Sequence, residues 1–112
     1  MGTTKSDLFS LKQNEIANMA KAIGHPARIA ILQQLIKANE CICGDLVSEL
    51  GLAQATISQH LKELKAIGII QGTIEGASVC YCIDPKVWKV YSQTFQNFFA
   101  AFPATTNAAC CN

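Results

Sequence analysis

The chain has no uninterrupted apolar run of about eighteen residues, the length that a membrane-spanning helix requires. Its start, Gly-Thr-Thr-Lys-Ser-Asp after Met1, lacks the apolar core of a secretory signal. A cytoplasmic protein without membrane attachment is therefore expected. Charge is scarce as well, at 15% of residues with a net +1. That excludes an overall basic field, so any attraction to nucleic acid has to come from a local patch such as Lys62, Lys65 and Arg28. The alternation of strands and helices that would frame a thioredoxin-like thiol oxidoreductase is missing too, and no enzyme activity is expected. What the chain has in quantity is apolar surface, 50% of 112 residues. This is one domain, or one completed by a partner, and self-association is a direct way to cover the excess.

The pattern is organised around Gln54 to Gly68. Ile57, Leu61, Leu64 and Ile67 recur every three or four residues and define one helical face, while Thr56, Ser58, Gln59, Lys62 and Glu63 stand between them. Upstream, Cys43 to Leu50 reads as a shorter helix and Gly51-Leu52-Ala53 as a tight turn. Two short helices about such a turn form a helix-turn-helix, whose second helix is shaped for a DNA major groove. Earlier still, Asn14 to Ile23 and Pro26 to Ala38 read as helices separated by Gly24-His25, with Ile29, Leu32, Leu35 and Ile36 facing inward on the second. His25 reads as a cap or packing residue. Asn39 to Cys43 reads as a short strand.

After Gly68, Ile69–Ile74 and Val79–Ile83 are strand-like around a turn at Glu75 to Ser78, which makes a wing. Pro85 to Phe102 forms a last helix carrying Trp88, Tyr91, Phe95, Phe98, Phe99 and Phe102, six of the eight aromatic residues. So broad an aromatic stripe suits a dimer interface shared with the first helix. The expected fold is mainly α with a small β-hairpin wing: a winged helix-turn-helix that dimerises through its first and last helices. Residues 1–11 are expected to be loosely ordered, residues 12–102 to form the domain, and residues 103–112 to form a flexible cysteine-containing tail.

These residues resemble the arsenical-resistance (ArsR-type) family of metal- and thiol-responsive bacterial repressors. The resemblance is carried by Ala22-Ile-Gly-His-Pro-Ala-Arg-Ile-Ala-Ile-Leu32, Glu40-Cys-Ile-Cys-Gly-Asp-Leu46, Ala53-Gln-Ala-Thr-Ile-Ser-Gln-His-Leu-Lys-Glu-Leu64 and Gly68-Ile-Ile70, and covers residues 15 to 84. It implies a homodimer on an inverted-repeat operator that an inducer releases. Residues at the start of a recognition helix reach base edges, so Gln54, Thr56, Ser58 and Gln59 are the candidate readers. His60, Lys62 and Arg28 are candidates for phosphate.

Six cysteines bear on the signal. Cys41 and Cys43 share one face of their strand, and Cys80 and Cys82 share one face of theirs. In a winged helix those strands pair, which places the two Cys-x-Cys runs close enough to share a metal or to form disulfides, subject to register. With Cys110 and Cys111 of the tail they are the candidate ligands for arsenite or a soft ion such as zinc or cadmium, and no resident cofactor is required. The alternative is a redox-responsive repressor switched by disulfides among the same pairs. The chain departs from the family pattern in three places. Gly44 separates Cys43 from Asp45-Leu46, Leu46 or Val47 replaces a further cysteine, and the last helix has no His for the zinc sensors' ligand set.

Overall fold

A computed structural model describes residues 8–44, 50–74 and 79–103. The helix expected over Cys43–Leu50 falls largely outside them, as do the wing turn at Glu75–Ser78, the tail cysteines Cys110 and Cys111, and the first seven residues. Four helices and three strands follow in order: α1 Leu11–Ile23, α2 Pro26–Ala38, β1 Ile42–Cys43, α3 Gln54–Ala66, β2 Ile70–Thr73, β3 Cys80–Ile83 and α4 Pro85–Ala100. No helix among them is long and apolar enough to cross a membrane.

Capping sets most of the boundaries. α1 begins three residues before its expected start, because the Ser10 hydroxyl accepts from the Gln13 amide while Gln13 Oε1 accepts from the Ser10 amide. α2 opens on Pro26, with His25 as the expected cap: its Nδ1 accepts from the Ala27 amide at 3.0 Å. Asp84 caps α4 by accepting from the Lys86 and Val87 amides, and Pro85 takes the first helical position. Just past α3, Gly68 takes a left-handed φ of 87°, which suits glycine after a helix end.

The strands form one antiparallel sheet in the order β1-β3-β2. β1 is shorter than the strand expected from Asn39, with Ile42 opposite Tyr81 and Cys43 opposite Cys80. Ile70 opposes Ile83 and Gly72 opposes Tyr81 across the β2/β3 ladder. The core lies where this sheet meets α2 and α3: Ile31, Leu32 and Leu35 pack against Ile57, Leu61 and Leu64, with Ile69, Ile70 and Tyr81 beneath. The expected inner faces of both helices are thus buried, except that Ile29, Ile36 and Ile67 are exposed. α4 closes one side through Val87, Trp88 and Tyr91. A mainly helical body with a small sheet is the winged-helix layout expected from the sequence.

Candidate nucleic-acid interface and cysteine ladder

α3 has two faces. Ile57, Leu61 and Leu64 are buried in the core, whereas Gln54, Thr56, Gln59 and Lys62 are exposed and Ser58 is half-buried. Ala53, the residue before the helix, offers no side-chain cap, so the amides of the first turn gain no such partner. The four candidate readers and Lys62, a phosphate candidate, therefore all lie off the buried face of the helix. At the other end of α3, Lys65 donates from Nζ to the Gly72 carbonyl at 2.6 Å, tying the helix to the wing instead of adding to a free basic patch.

Arg28 and His60 sit differently. Their side chains are only 17% and 11% exposed, and they bond to each other. Arg28 Nε donates to His60 Nδ1 at 3.1 Å, one terminal nitrogen donates to the Ala22 carbonyl at 2.8 Å, and the other pairs with Glu63. These two candidates for phosphate thus lie in a junction of the end of α1, the start of α2 and the middle of α3. His25 completes it, its ring centroid 4.4 Å from that of His60.

Because His60 Nδ1 accepts from Arg28, the imidazole is neutral and carries its proton on Nε2. Burial, followed by the nearby His25 and Arg28, holds its pKa below the ordinary 6.5. The unfolded chain therefore binds a proton at this residue more readily than the folded one. Stability from this residue is complete above about pH 6.5 and is lost as the pH falls through the lowered folded value. Urea midpoints measured from pH 7.5 to 5 should decline, and the decline should shrink in a His60→Gln variant. An identical slope in the variant would place the titration elsewhere.

On the sheet, the register settles what the Cys-x-Cys pattern left open. Cys43 and Cys80 are direct cross-strand partners with Cα atoms 4.0 Å apart and form a disulfide. One step along the same ladder, the free thiols of Cys41 and Cys82 lie within hydrogen-bonding reach of each other. That bond, followed by burial and the charges of Cys82 and Glu40, raises the Cys41 pKa. Gln71 Nε2 also donates to Cys82 Sγ, at 4.0 Å. Four cysteines thus form two stacked cross-strand pairs, one closed and one open. In this state no group of three or more His, Cys, Asp or Glu side chains among the described residues is arranged to hold a metal ion.

Sequence reasoning missed the Arg28–His60–Glu63 junction. A signal existed: His60 lies three residues after Ile57 and four before Leu64, on the buried face.

The model of a family described as "Bacterial regulatory protein, arsR family" matches residues 25–71. The SmtB transcriptional repressor of Mycobacterium tuberculosis is 41% identical over 63 residues, which cover 56% of this chain and 46% of that protein. The similarity thus spans about half the length of that relative. An uncharacterized HTH-type transcriptional regulator of Methanocaldococcus jannaschii is 36% identical over 81 residues, covering 70% of this chain and 90% of that protein. Among solved structures, NolR of Sinorhizobium fredii superimposes with a TM-score of 0.56 at 25% identity, covering 88% of this chain and 96% of that one.

Proposed function

The chain belongs to the arsR family of bacterial regulatory proteins, and we propose that it is a DNA-binding transcriptional repressor that occupies an inverted-repeat operator as a homodimer and leaves it when the β1/β3 cysteines react. The observation that carries this reading is the two-faced α3: a buried apolar side that fixes its pose, and an outward side of Gln54, Thr56, Ser58, Gln59 and Lys62. Glutamine can pair with adenine in two places and threonine can touch a thymine methyl, each good base contact being worth about 1–3 kcal/mol. The uncapped start of α3 offers backbone donors to phosphate. Dimerisation through α1 and α4 is supported by Leu11, Val90, Phe98 and Phe99, all exposed on those helices. Covering such a patch is what a second copy would do.

The signal is read by thiols. The Cys43–Cys80 disulfide favours redox switching: the two thiols give up two electrons and two protons to an oxidant such as a peroxide, which leaves as water. Arsenite, zinc or cadmium is the second reading. It applies to the reduced ladder, where four thiols face one side of the sheet, with Cys110 and Cys111 as further donors.

Fluorescence anisotropy on the chain's own promoter DNA tests both. The reduced protein should bind with an affinity that falls as salt rises, because phosphate contacts release counterions. Peroxide should weaken binding by roughly ten- to a hundredfold, the range of a 1–3 kcal/mol coupling, and a Cys43→Ser/Cys80→Ser variant should bind and no longer respond. Release by arsenite or cadmium but not by peroxide would select the second reading. Salt-independent binding, or none, would mean an interaction module that does not use DNA.

A further inference from the structure

We propose that the groove between the end of α2, β3 and the start of α4 is a binding site for a neutral, planar electrophile of the quinone class, which Cys82 captures covalently. The groove encloses about 420 Å³, within the range of small-molecule sites. Leu35, Ile36 and Ile83 supply aliphatic walls, and Trp88 adds an indole beside Pro85. Its polar lining comes from Asn39, Glu40 and the cysteine itself.

Each part narrows the ligand. Apolar and aromatic walls exclude strongly hydrated molecules and favour a flat ring. The Glu40 carboxylate repels anions, which removes carboxylates and phosphates. An amide such as that of Asn39 can donate to a carbonyl oxygen. The cysteine pair supplies the chemistry. With Cys43 and Cys80 joined, Cys41 and Cys82 are each other's neighbouring free thiol among the described residues. Of the two, Cys82 lines the groove and Cys41 does not, so Cys82 is the thiol that meets a bound ligand. A neutral, flat, carbonyl-bearing body with an electrophilic carbon is a quinone.

The step balances without an outside oxidant. A sulfur lone pair forms a C–S bond to a ring carbon, and the conjugated π pair moves onto a carbonyl oxygen. The proton from Cys82 ends on that oxygen, and the displaced ring proton restores aromaticity by moving to the other. The product is a hydroquinone thioether on Cys82. Its consequence rests on the repressor reading: a ring lodged here parts the end of α2 from the start of α4, and α2 holds the reading helix.

The test uses the full chain with Cys110→Ser and Cys111→Ser, kept non-reducing, and treated with one equivalent of methyl-1,4-benzoquinone. Intact mass and peptide mapping should show one quinone per chain, on Cys82, and none in a Cys82→Ser variant. Trp88→Ala should slow quinone capture about tenfold through loss of the aromatic wall, while labelling of Cys82 by iodoacetamide, which needs no pocket, keeps its rate. First labelling at the more exposed Cys41, or equal slowing of both reagents, would overturn the site. Anisotropy on the same chain after reduction separates the two layers: a reduced chain that binds its promoter, with no quinone at Cys82 of the non-reduced chain, sinks this site and leaves the repressor reading intact. Capture at Cys82 of the non-reduced chain, with no promoter binding even after reduction, supports the site and sinks that reading.

Discussion

Replacing Arg28 with alanine is expected to cost about 2–3 kcal/mol of stability and to take operator binding with it. The guanidinium holds three acceptors on two helices: the Ala22 carbonyl of α1, and His60 Nδ1 and the Glu63 carboxylate of α3. Removing one partner of a well-buried ion pair costs about 3–5 kcal/mol. Here Glu63 is 42% exposed, so water recovers much of its loss and the pair's share falls below that range. His60 is buried and has no such relief, and its unsatisfied acceptor adds to the cost. Arg28→Lys should recover little, because an ammonium lacks the planar fork that meets acceptors in three directions. Urea unfolding followed by circular dichroism measures the stability, and anisotropy on the promoter measures the function. Wild-type stability combined with lost DNA affinity would return Arg28 to the phosphate contact that its place in the sequence suggested.

Arg28 also marks where sequence reading reached its limit. Periodicity found α3, because Ile57, Leu61 and Leu64 repeat at a spacing that only one helical face can satisfy. His60 has the same spacing, but its polarity points to solvent and to phosphate. Its partner stands 32 positions away, a separation that no local pattern encodes. The cysteines were the reverse case. Alternation within each strand set their faces, and only the register was open. The structure supplies it by placing Cys43 opposite Cys80, which carries Cys41 to the side of Cys82. The start of α1 is encoded locally: Ser10 followed three residues later by Gln13 is a capping pair, and it sets the helix start at Leu11.

The register itself depends on a glycine, and Gly72→Ala is expected to cost about 3 kcal/mol, enough to lower the thermal midpoint by roughly 10 °C. Gly72 opposes Tyr81 in the β2/β3 ladder with φ at +117°, a conformation that L side chains rarely adopt. A Cβ there would collide with the Cys80 carbonyl oxygen and lie 2.9 Å from Tyr81 Cα, and neither backbone atom can turn aside as a side chain would. The neighbouring strand must move, and β3 is the strand that carries Cys80 and Cys82. Gly44→Ala isolates the collision. Gly44 has φ at +99° but nothing within 4 Å of an added Cβ, so its loss is the conformational share alone, about 1 kcal/mol. Calorimetry on the two variants should therefore rank Gly72→Ala well below Gly44→Ala. If the two lose equal stability, close approach of β2 to β3 is not what requires glycine at position 72. If Gly72→Ala loses more, thiol-trapping of that variant becomes the informative measurement: a displaced β3 should expose Cys82 to alkylation while the β1/β3 disulfide, on the opposite edge of that strand, stays closed.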